Sequence, residues 1–184
     1  MWIGLVGSEM CIRDSSSSIL SVILGGGMTS RLFEQVREKR GLAYSVSSNS
    51  HFYSDCGVFY IDAGVAPENT EQTFEVIIEE LNNLRKNLNS DEISSSKELI
   101  KGRLMMRYED SRAVAMNYGT QELLNKKIIS IDDNLKSLDK VEFDEIIEAF
   151  DYIFNNETMI VSAAGSIDKI PVSYTHLRAH ETYP

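Results

Sequence analysis

Apolar residues recur every three or four positions in the middle of the chain, at Phe74, Ile77, Ile78, Leu81, Leu84 and Leu88. That spacing paints one face of an α-helix. Pro67, just upstream, suits a first helical turn, where no backbone N–H is needed. "NLNSDE" interrupts the pattern. Asn89 or Ser90 then caps a second long helix through Ile93, Ile100 and Leu104 towards Tyr108. Further helices are predicted over residues 114–124, in "ISIDDNLKSLDKV" and in "EFDEIIEAFDYIF".

Upstream of these helices the period drops to two. Leu42, Tyr44, Val46 and Phe52 fall on one strand face, and Ala43, Ser45, Ser47 and Asn49 on the other. "SDCG" reads as a turn, and residues 58–65, "VFYIDAGV", return as the second arm of an antiparallel hairpin. "ETMIVSAAG" supplies a last strand, and the apolar run at residues 19–24 reads as the end of a helix. Strands that pair locally, with helices packed on one face, predict an α+β fold with a small antiparallel sheet.

One stretch, "GGGMTSRLFEQVREKRGLAYSV", carries the candidate chemistry. Thr29 or Ser30 can cap a helix over residues 31–40, with Leu32, Phe33 and Val36 on its apolar stripe. Arg37, Lys39 and Arg40 lie in its last turn, where cations suit the helix dipole, and Gly41 provides a left-handed stop. The three preceding glycines could cradle a phosphate only with the right neighbours. A P-loop needs a lysine where Met28 stands, and a dinucleotide fingerprint needs a glycine where Ser30 stands. Gly25, Gly26 and Gly27 therefore read as a structural turn joining two helices, as does Gly41 at the far end.

Composition narrows the partners. The 184 residues carry a net charge of −10, from 28 acidic against 18 basic side chains. That balance disfavours nucleic acid, whose binding rests on Lys and Arg neutralising phosphates. No apolar run reaches the roughly 18 residues of a membrane span. Two cysteines, Cys11 and Cys56, make neither a disulfide framework nor a metal spacing. Cys56 has no neighbour that would activate its thiol, and His51 lacks the serine and carboxylate of a triad. Nothing marks an oxidising compartment, so a cytoplasmic location is the default expectation.

The ends differ from the middle. "MWIGLVGSEMCIRDS" and "PVSYTHLRAHETYP" share no hydrophobic period with their neighbours, and both resemble translated sequencing-adapter read-through. Residues 1–15 and 171–184 are accordingly expected to be non-native flanks around a domain at 16–170. The tail holds the one metal-like spacing, His176 and His180, four apart. An H-x-x-E-H site would need a glutamate at Ala179, and Glu181 would face elsewhere on a helix, so no metal ligand is assigned in this chain.

The string "LGGGMTSRLFEQVREKRGLAYSV" resembles the pitrilysin / insulin-degrading enzyme / mitochondrial processing peptidase family of zinc metallopeptidases, in its bacterial processing-peptidase-like branch. The likeness continues through "GVFYIDAGVAPENTEQTFEVIIEEL" and "LNSDEISSSKELIKGRLMM" into "MIVSAAG", covering residues 19–165. Such proteins are built from two similar α+β halves that close like a clam shell on a peptide. The resemblance implies that this chain is the C-terminal half, incomplete at its N-terminus. The family's zinc motif, H-x-x-E-H, belongs to the other half and occurs nowhere in this sequence.

The resemblance also implies a role for Arg37 and Tyr44, which match the arginine and tyrosine that this half offers to the substrate carbonyl. Read alone, Arg37 could equally be a solvated cation of a helix end and Tyr44 a half-buried strand aromatic. The chain by itself is expected to bind no zinc and to cut nothing. Its implied partners are a peptide, the zinc-binding half in the same chain, and a second subunit in a homo- or heterodimer. The alternative function is a non-catalytic assembly or scaffold subunit, since some members of the family have lost the zinc ligands.

Overall fold

In the computed structural model, residues 2–7, 12–53, 56–154 and 160–165 are described. The elements run β1 (Trp2–Gly7), α1 (Ile12–Gly25), a π-wound helix (Phe33–Glu38), β2 (Ala43–Phe52), β3 (Gly57–Val65), α2 (Thr70–Asn87), α3 (Ser90–Tyr108), α4 (Ser111–Thr120), α5 (Ile131–Lys140), α6 (Phe143–Ile153) and β4 (Ile160–Ser162). The strands form one antiparallel sheet in the order β2-β3-β1-β4. The expected α+β architecture is therefore present.

Pattern dictates the layers. The β2–β3 hairpin buries Val46, Phe59, Ile61 and Ala63 on one face and turns Ser45, Asn49 and Asp62 away from it. α1 lies against the buried face with Ile19, Leu20, Ile23 and Leu24 almost fully enclosed. The predicted stripe of α2 is buried at Phe74, Ile77, Leu81 and Leu84, and Leu88 follows it. α6 closes the core with Ile146, Ala149 and Phe150. Each such large side chain contributes about 1.5–3 kcal/mol when removed from water. The predicted cap at Asn89 holds, where Asn89 and Glu92 form a reciprocal capping box at the start of α3, whereas Ser30, expected as a cap of the helix before Gly41, turns its hydroxyl back to donate to Gly27 O.

The amino-terminal segment that the sequence reading assigns to a flank takes part in the sheet. Trp2–Gly7 pairs with β3 over six residues and with β4 over three, and α1 begins at Ile12, ahead of the expected junction at residue 15. The carboxy-terminal flank, with His176 and His180, lies outside the described residues.

The glycine run does more than turn the chain. A Cβ on Gly25 would come within 2.4 Å of the Ser48 backbone nitrogen, so α1 rests directly on β2 there. Two reciprocal bonds seal that contact: Ser48 Oγ donates to Ser21 O at 2.7 Å and Ser21 Oγ to Ser48 O at 3.4 Å. A Cβ on Gly26 would lie 2.5 Å from Val22 Cα, whereas one on Gly27 would meet only ordinary contacts. None of these three has a positive φ; of the four singled-out glycines, Gly41 alone does, at +61°.

Candidate functional site

The corner around Gly41 is built from both sides. On the helix side, Ser30 Oγ donates to Gly27 O at 2.6 Å and Ser30 O accepts from Glu34 N. Arg31 then pins the helix to the α2–α3 junction. Its Nε and Nη2 each donate to the Glu92 carboxylate at 2.7 Å, and Nη1 reaches Asn87 Oδ1 at the same distance. Leu32 and Val36 face the core and are fully buried.

The last turns are wider than an α-helix. Lys39 N bonds to Glu34 O, five residues back, and Leu42 N closes onto Val36 O, six back. Gly41, in the left-handed region, reverses the chain within this closure. The predicted stop therefore stands where expected, while the winding before it is π rather than α.

On the strand side the structure departs from the simple alternation. Ala43 pairs with Val65 and Ser45 with Gly64, which leaves Tyr44 as the extra residue of a β-bulge. The expectation that Leu42, Tyr44 and Val46 share a face is thereby corrected. Ala43 and Val46 both point inward, and Tyr44, between them, is 87% exposed. The bulge lets the strand bury Val46 and still hold the phenol in the open.

Arg37 and Tyr44 meet on the outside of this corner. The Arg37 guanidinium carbon lies 4.8 Å from the Phe33 ring centroid and 5.9 Å from that of Tyr44. Both distances fall in the range of cation–π attraction. The guanidinium is thus flanked by two aromatic rings, and its nearest carboxylate among the described residues is Glu38, at a long 3.9 Å. Arg40, in the same turn, is engaged instead by its own fold. It donates to Gln35 O at 3.0 Å and Gln35 Oε1 at 2.8 Å, and lies 3.8 Å from Glu79. Lys39 pairs with Glu34 at 2.8 Å. Of the three cations in the basic turn, Arg37 keeps its donors most open to a ligand.

The other candidates are accounted for. His51 stacks on Tyr60 and shares a 3.0 Å hydrogen bond with its hydroxyl on the open face of the sheet. Cys56 is half-buried beside the hairpin turn, where Tyr53 N bonds to Cys56 O; Ser54 and Asp55 lie outside the described residues. The stacking of Phe33 under Arg37 was legible only as a spacing of four, and the reading above used Phe33 for the core.

Comparison with known proteins bears on the family and the fold. Residues 13–100 match the peptidase M16 inactive domain. The chain is 37% identical over 135 residues to an uncharacterized zinc protease of Streptomyces coelicolor, a match covering 73% of this chain and 29% of that protein. It is 34% identical over 152 residues to an uncharacterized zinc protease of Bacillus subtilis, covering 81% of this chain and 37% of the relative. The crystal structure of a protease from Helicobacter pylori superposes with a TM-score of 0.75 at 21% identity, covering 86% of this chain and 39% of that one. The chain belongs to the M16 peptidase family, through the domain the family calls inactive. It spans about a third of the length of these two zinc-protease relatives.

Zinc, which gives those relatives their name, does not fit the described residues of this chain. Among them no group of three or more His, Cys, Asp or Glu side chains comes together as a ligand set. The corner itself offers a guanidinium and two aromatic rings, which are not zinc donors. No helix among the described residues is long and apolar enough to cross a membrane.

Proposed function

We propose that this domain is the substrate-holding half of a zinc-dependent endopeptidase, with Arg37 and Tyr44 gripping the peptide at the bond to be cut. The observation that carries this reading is the pairing of an outward guanidinium and an outward phenol across the Gly41 corner, 5.9 Å from cation to ring. Arg37 presents a fixed fork of N–H donors and Tyr44 one O–H donor. Both can hydrogen-bond a backbone carbonyl, and those bonds strengthen as negative charge develops on its oxygen. Removal of one such donor costs a factor of about 10²–10³ in rate.

The zinc belongs, in this reading, to an N-terminal half preceding this domain in the same protein, and a second subunit completes the enclosure. The domain alone binds peptide without cleaving it. The test uses the full-length protein carrying both halves, with cleavage of an unfolded peptide followed by mass spectrometry. Arg37→Ala and Tyr44→Phe are expected to lower kcat/KM by about 10²–10³ each, with Arg40→Ala far milder. Small and equal effects of all three would refute the assignment. If the upstream half lacks zinc ligands, the domain serves instead as an assembly subunit.

A further inference from the structure

The first half of α3 is anchored in the body of the domain. Ile93 and Ser96 are buried, Ile100 packs against the core, and Glu92 holds Arg31. Beyond it the packing stops. From residue 101 to residue 137 no described residue is buried. That stretch takes in the rest of α3, all of α4, a π-wound turn at Gln121–Asn125 and most of α5. Six large apolar residues stand out along it: Met105, Met106, Met116, Leu123, Leu124 and Ile128. Each is more than half exposed, and Leu123 reaches 70%. α4 is ten residues long, has no buried residue, and is tied back to α3 by the edge-on contact of Tyr118 with Tyr108. A helix this short is marginal in water by itself and draws its stability from packing an apolar face.

We propose that this arm, residues 103–128, is the surface by which the domain docks on the remaining part of its own polypeptide, and that the surface it meets is apolar with a rim of carboxylates. Apolar side chains in this number on one exposed element mark a surface built for contact. The rim follows from charge. Residues 103–128 hold five basic and three acidic side chains, within a chain of net charge −10. Arg107, Arg112, Lys126 and Lys127 form no ion pair among the described residues. The occupant follows from length. The chain spans 29% and 37% of its two zinc-protease relatives, so most of a protein of that size lies outside it. A surface in the same polypeptide meets the arm at an effective concentration of roughly millimolar. A second copy is a poorer fit, since arm against arm would bring like charges together. The inference does not use the role proposed for Arg37 and Tyr44, and its test reads no cleavage.

The test exposes the full-length protein and the 184-residue chain to a hydrogen peroxide pulse and reads sulfoxide at Met105, Met106 and Met116 by mass spectrometry. Oxidation follows exposure, so these three are expected to react about ten-fold more slowly in the full-length protein, with no change on dilution. Equal rates in the two proteins overturn the proposal. Protection that fades on dilution, in either protein, assigns the arm to a second copy and overturns it as well. Leu123→Glu sets a carboxylate against the rim. It should restore fast oxidation of Met116 in the full-length protein and leave the thermal midpoint of the 184-residue chain unchanged, because position 123 is exposed there. A lowered midpoint in the shorter chain would show Leu123 already packed within the domain, against the proposal. Leu123→Lys should keep more of the protection than Leu123→Glu; equal loss in the two variants overturns the carboxylate rim.

Discussion

Replacing Gly25 with alanine decides what the glycine run is for. The new Cβ would sit 2.4 Å from Ser48 N, 2.8 Å from the Ser47 carbonyl carbon and 2.9 Å from Ser48 Oγ. Two of these are backbone atoms of β2, which no rotamer change can move. The helix must instead lift from the strand by about 1 Å to restore an ordinary contact, a shift of the overpacking kind that costs about 1–3 kcal/mol. The same displacement strains the reciprocal Ser21–Ser48 bonds, and losing both would add about 1–2 kcal/mol. A destabilisation of about 2–5 kcal/mol is a large part of the 5–15 kcal/mol that folds such a domain. Gly27→Ala, whose Cβ would find its nearest neighbours at 3.7 and 3.8 Å, provides the control and should be close to neutral. Urea denaturation followed by circular dichroism measures both. Equal midpoints for the two variants would show that the glycines serve chain reversal alone and that α1 does not rest on β2 as described.

Three further perturbations test the corner. Gly41→Ala forces a side chain into φ +61° and should cost about 1–2 kcal/mol in urea denaturation, although no atom crowds the new Cβ; a neutral result would deny the left-handed closure. Arg31→Ala leaves Glu92 and Asn87 without their shared partner and should lower the thermal midpoint, while Lys86→Ala, at an exposed position, should not; matching midpoints would show that the Arg31 clamp is dispensable. Phe33→Leu keeps most of the apolar volume but removes the ring beneath Arg37, worth about 0.5–1 kcal/mol. In the full-length protein it should reduce peptide cleavage several-fold, with Phe33→Tyr close to the parent; equal losses for Leu and Tyr would point to packing rather than the ring.

The helices were legible because each repeats one signal many times. The stripe from Phe74 to Leu88, the Asn89 cap and Pro67 at a first turn all appear where their spacing places them. The position of Gly41 was legible for the same reason, since few residues other than glycine take a left-handed φ without cost. What the sequence concealed were the local departures. Nothing in "GLAYSV" marks Tyr44 as the extra residue of a bulge, because alternation alone places Tyr44 with Val46. Nothing in "FEQVRE" distinguishes π from α winding, as both satisfy the same apolar stripe. The pairing of Trp2–Gly7 between β3 and β4 was missed because six residues share no period with the helix that follows. Gly25 was legible as a glycine that matters, but its reason depends on Ser48, 23 residues away in sequence and invisible to any local pattern.

Those two hidden departures sit on either side of Gly41, and together they shape the corner where Arg37 and Tyr44 meet. Regular winding and regular pairing would each present side chains by rule, alternating or recurring with no regard to a ligand. The π turns shift the register by one residue, so Lys39 bonds to Glu34 rather than Gln35, while Val36 stays sealed in the core. The bulge shifts the strand register by one residue, so Val46 is buried while Tyr44 stands outside. Each insertion satisfies the core first and releases one side chain from the pattern. Regular hydrogen bonding is given up at these two places, and irregularities of both kinds concentrate where a side chain must be aimed. Arg40, which lies in the same basic turn but donates back to Gln35, shows what the turn does with a cation that is not aimed outward. The corner is therefore defined less by its residue types than by the two extra residues that the fold accommodates around a single glycine.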